Sequence, residues 1–159
     1  MTALLTNAHV YRAIAEEALA EAVRLDDAAK TPKPDGSPGF VIQMDPDRRS
    51  FKKSLVAIAF SGVYLEALLF LHGTFRMGAV WEKTFDRKSY EKKLEELGVT
   101  EPDLLASAKR LREVRKDLIH EKARPLDSVA LSNTYWAQVE ATASVAFIQA
   151  ITAKLASAA

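Results

Sequence analysis

A chain of 159 residues, 48 % of them hydrophobic and none of them cysteine, is long enough to bury one core without cross-links. The absence of cysteine excludes a disulfide scaffold, thiol catalysis and thiolate-bound zinc or iron–sulfur centres, and it fits a reducing cytoplasm. A formal net charge of +1 excludes the strongly basic character common in nucleic-acid-binding domains, so any RNA contact has to come from a local patch.

Helical periodicity dominates, and neither strand-like alternation nor a hairpin pair such as Asn-Gly stands out, which predicts the all-α class. The start, Met1 to Asn7, lacks the basic flank and apolar run of a secretory signal. A first amphipathic helix is expected from about Asn7 to Ala29. The stretch 30–49, with Pro32, Pro34, Gly36, Pro38, Gly39 and Pro46, stops helices and favours turns, so it reads as a long loop. That loop lies within a single domain spanning 1–159, because the first helix alone could not bury its apolar face.

A second, central helix is expected to start near Asp47 or Ser50, either of which suits an N-cap, and to end near Gly73. Its most apolar part, Leu55 to Leu71, is shorter than the roughly 20 residues of a membrane span and contains Glu66, so it reads as a core helix without a membrane partner. An irregular segment from Thr74 to Phe85 follows, then a short charged helix from about Asp86 to Leu97, stopped by Gly98. Thr100-Glu101-Pro102-Asp103 is a helix start, with Thr100 as cap and Asp103 as the capping-box acid. The helix it opens runs to about Glu121. Pro125 ends continuation, and Asp127 or Ser128 can cap a last helix reaching toward Lys154.

Chemistry concentrates on the helix from Glu101. On a wheel of about 100° per residue, Arg115 falls in the middle of an apolar stripe with Leu104, Ala108, Leu111, Leu118 and Ile119. A guanidinium there stays charged, so it must face a carboxylate, a subunit interface or an anionic ligand. Glu66, embedded in the central helix, is the natural carboxylate, and an ion pair with it is compatible with an anion site that it orients. Residues 109–124 also hold seven basic side chains (Lys109, Arg110, Arg112, Arg115, Lys116, Lys122, Arg124) against Glu113, Asp117 and Glu121, either a solvated face or an anion-binding patch.

His120 lies about 140° round the helix from Arg115, so the two do not share a face. In isolation His120 reads as a surface histidine at a helix C-terminus. Three scattered histidines give no metal-site pattern, and no phosphate loop or nucleophile elbow is present. No cofactor or metal is expected.

The stretch Leu111-Arg-Glu-Val-Arg-Lys-Asp-Leu-Ile-His-Glu-Lys122, preceded by the apolar helix Ala57 to Leu69, resembles the HEPN superfamily. Its hallmark is an arginine followed a few residues later by histidine at a helix end. Here four residues separate Arg115 from His120. The resemblance implies a bundle of four to five helices, a homodimer with a shared cleft, and a metal-independent endoribonuclease of the toxin–antitoxin or phage-defence kind, with RNA as substrate and an antitoxin or defence-system protein as partner. It makes His120 the general acid/base and Arg115 the stabiliser of the phosphorane, with Lys116, Asp117 and Glu66 in support. A catalytically silent HEPN-like binding or adaptor module is the alternative. Two positions depart from the family pattern. Lys116 stands where Asn, Asp or His is common, and Lys122 stands where some toxins carry a tyrosine that a nucleotidyltransferase antitoxin modifies.

Overall fold

Apolar residues run round most of the circumference of the helix Arg49–Met77, and that helix accordingly lies between others instead of at the surface. The computed structural model describes residues 6–85, 87–119 and 130–157. Its elements, in chain order, are α1 (Ala8–Ala28), β1 (Lys30–Pro32), β2 (Phe40–Ile42), α2 (Arg49–Met77), α3 (Ala79–Thr84), α4 (Tyr90–Glu96), α5 (Pro102–Ile119) and α6 (Ala130–Ser157). The class is all-α, as periodicity predicts.

Helix α2 packs most extensively against α1, next against α6, and α5 bridges α2, α4 and α6. Small residues permit the close α1–α2 contact: Ala15, Ala18 and Ala22 on α1 and Ala57 on α2 are buried. The rest of the core comes from Leu65 and Leu69 of α2, Leu94 of α4, Leu111 and Val114 of α5, and Ile148, Ile151 and Leu155 of α6. Tyr64 of α2 and Thr152 of α6 share a hydroxyl hydrogen bond of 2.6 Å across the layer.

Several local expectations are corrected. The 30–49 loop contains a two-stranded antiparallel hairpin, pairing Lys30 with Ile42 and Pro32 with Phe40, and the apolar side chains of β2 are exposed. Alternation over three residues is too short to register as a strand pattern. Helix α2 is not capped by Asp47 or Ser50: Asp45 does this work, its carboxylate accepting from the backbone N–H of Asp47 (3.0 Å) and Arg49 (2.9 Å), while the buried Ser50 hydroxyl donates to the carbonyl of Ala22. The helix also runs past Gly73, because Gly78, at φ 57°, supplies the conformation that ends it. The segment expected to be irregular is therefore the last turn of α2 plus α3.

Helix α5 begins at Pro102, with Glu101 and not Thr100 at the cap position, its carbonyl accepting from Leu105 at 3.1 Å. The expected caps Asp127 and Ser128 lie outside the described residues. By length and composition Arg49–Met77 and Trp136–Ser157 could each cross a bilayer, which corrects the estimate that the apolar stretch is too short. Their apolar windows are 50 % and 44 % buried inside the fold.

Candidate functional site

Helix α5 turns Ala108, Leu111 and Val114 into the core. Arg115 consequently sits about 40° from the middle of the buried stripe, within it and on the side of Ala108. There the guanidinium lies against α2 and α4. Its Nη1 donates to Oε1 of Glu66 (2.6 Å) and to Oη of Tyr90 (2.6 Å), and the Tyr90 hydroxyl donates to the same Oε1 (2.7 Å). Three side chains from three helices thus close a ring of hydrogen bonds.

The Arg115 side chain is 22 % exposed and that of Glu66 48 %. Tyr90, at 7 %, is the buried member. Glu66 is therefore the expected partner, though at the rim of the ring and not largely buried. Burial works against the charge on Arg115, but its hydrogen bond to Glu66 and the field of Tyr90 outweigh it, and the pKa lies above its ordinary value. For Tyr90, burial first and the Glu66 hydrogen bond second push the phenol well above its usual range. The Nε of Arg115 is buried without a hydrogen-bond partner.

Gly62 makes this placement possible. A Cβ on Gly62 would collide with Cδ and Nε of Arg115, the latter at 2.7 Å, so only a glycine on α2 lets the arginine lie flat across it. The Ser-Gly pair inside an apolar helix was the available sequence signal. Tyr90 carried no comparable signal, because it reads as one more residue of a short charged helix.

The ring forms one wall of an open cavity of about 360 Å³, lined also by Lys88, Ser89, Arg112 and Lys116. Arg112 is held by Glu91, with Nη2–Oε1 at 3.0 Å. Lys88 and Lys116 have no ion-pair partner among the described residues. Of the residues singled out in the sequence, Arg115, Lys116 and Glu66 meet at this cavity. Asp117 does not line it, and its charge acts on Arg110 instead. Arg110 pairs with the buried Glu140 of α6. His120 lies outside the described residues. No group of His, Asp or Glu side chains suited to a metal ion occurs among the described residues.

Comparison of the chain with protein-family models, with curated proteins and with solved structures finds no match.

Proposed function

We propose that this chain is a HEPN-like RNA-cleaving domain acting in the cytoplasm, in a toxin–antitoxin or phage-defence setting, with Arg115 as its phosphate-directed cation and His120 as its general acid/base. The observation that carries the reading is the position of Arg115: it is fixed by Glu66 and Tyr90 at the wall of a cation-lined cavity, on a helix described to Ile119, the residue before His120. In this chemistry the substrate's 2′-hydroxyl attacks the adjacent phosphorus while a base takes its proton, the 5′-oxygen leaves with a proton from an acid, and the arginine stabilises charge on the phosphorane. A positioned acid/base contributes about 10²–10⁴-fold in rate.

Homodimerisation belongs to the same proposal, because Arg115 and His120 diverge round one helix and a second protomer can bring them together. A structured RNA incubated with the protein should be cut, and the DNA of the same sequence should survive, since it lacks the 2′-hydroxyl. Cleavage of both, or of the DNA alone, contradicts the reading.

One observation favours the silent binding module: the Arg115 charge is already matched by Glu66 within the chain, and the next residue is Lys116. In that reading both substrates survive, and the cavity binds its anion without cutting it.

A further inference from the structure

The charges that line the cavity are unequal in one respect. Arg112 is matched by Glu91 and Arg115 by Glu66, whereas Lys88 and Lys116 are exposed and have no anionic partner among the described residues. Both lysines line the cavity of about 360 Å³, which is within the size range of small-ligand sites. Beside them lies the Ser89 hydroxyl, which accepts from the Lys92 N–H at 3.5 Å and also interacts with the Glu91 carboxylate.

A running phosphodiester brings one negative charge to such a place and leaves one ammonium unmatched. A phosphomonoester brings about −1.5 to −2 at neutral pH and three acceptor oxygens. Ammonium groups on flexible stems suit such a compact dianion, because they recognise charge without demanding a planar fork.

We propose that this cavity is a site for a phosphomonoester end, the terminal phosphate of a nucleotide or of an RNA strand, gripped by Lys88 and Lys116 with the Glu66–Tyr90–Arg115 ring as its fixed wall. The site shares Arg115 and Lys116 with the cleavage reading but stands without it.

The test uses the full chain and calorimetric titration with uridine 5′-monophosphate and with its methyl ester, which keeps the nucleoside and loses one charge. The monoester should bind at least about tenfold more tightly than the ester, and Lys88→Gln and Lys116→Gln should each remove that preference. Both lysines are exposed and have no ion-pair partner among the described residues, so neither change should disturb folding, and a melting curve checks this. A 2′-O-methylated hexanucleotide with a 5′-phosphate then separates the sources. Tighter binding than the mononucleotide, lost with a 5′-hydroxyl, assigns the site to a strand end; equal binding assigns it to a free nucleotide. Equal affinity for monoester and ester, or a preference that survives both lysine changes, overturns the proposal. Neither small probe contains an internucleotide linkage, so the result holds whether or not the protein cuts RNA.

Discussion

Gly62 of α2 lies directly beneath the Arg115 side chain of α5, so close that a Cβ at position 62 would overlap Cδ and Nε of the arginine. The most unusual charge on α5 is thus positioned by the absence of a side chain on its neighbour.

Gly62→Ala should therefore separate stability from function. Alanine favours the helix by up to about 1 kcal/mol, while a partly exposed arginine that swings out loses an ion pair of similar or smaller size. The denaturation midpoint should hardly move, and RNA cleavage should fall at least tenfold. A variant that keeps full activity would show that the arginine need not lie flat on α2.

At Gly73 the same substitution should act on the fold itself. A Cβ there would overlap the indole ring of Trp81, which is fully buried and stacked on Phe85 with ring centroids 5.2 Å apart. Overpacking of this kind costs about 1–3 kcal/mol, with little room for the indole to retreat. Urea denaturation of Gly73→Ala should show that loss, and an unchanged midpoint would argue against the tight α2–α3 packing.

The Glu66–Arg115 pair is half open to solvent on the Glu66 side, which lowers the expectation that a buried Glu66 would give. A double-mutant cycle with Glu66→Ala and Arg115→Ala should return a coupling of about 1 kcal/mol, near the upper end for exposed ion pairs because Tyr90 closes the ring. A coupling indistinguishable from zero would mean that the ring does not hold in solution.

Tyr90 supplies a pH dependence whose sign is fixed by its environment. Its folded-state pKa is raised by burial and by Glu66, so the native state keeps a proton that the unfolded chain loses near pH 10. The stabilisation is present below that value and declines as pH rises above it. In an ultraviolet titration the phenolate signal of Tyr90 should appear only with alkaline unfolding, and Tyr90→Phe should remove that late component. Ionisation of Tyr90 in the native state at an ordinary tyrosine pH would contradict its burial.

Much of this was legible in the chain because periodicity and punctuation act locally. The α1 span follows from its apolar spacing, the start of α5 from the proline at its first turn, and the Arg115–Glu66 pair from the cost of a lone guanidinium on an apolar stripe. What was not legible depends on tertiary contact. Gly73 looks like a helix stop in sequence but is a close-packing position, since the same residue serves both ends and the actual stop, Gly78, lies five residues on. Asp45 caps α2 from beyond a proline, out of reach of a simple cap rule. Tyr90 and Lys88 join the cavity only because α4 folds back on α5 and α2. No spacing within one helix could have announced them.

The most direct test of the central claim is cleavage of a structured, end-labelled RNA in the presence of EDTA by wild-type protein and by His120→Ala. The proposed chemistry uses an acid/base, an arginine and the substrate's own 2′-hydroxyl, so wild-type protein should cut under chelation and leave 2′,3′-cyclic phosphate ends. The variant should be a folded protein of unchanged oligomeric state with cleavage reduced by about 10²-fold or more. Equal cleavage by the two proteins, products with ordinary 3′-hydroxyl ends, or intact RNA with both would contradict the assignment of Arg115 and His120 as a ribonuclease pair.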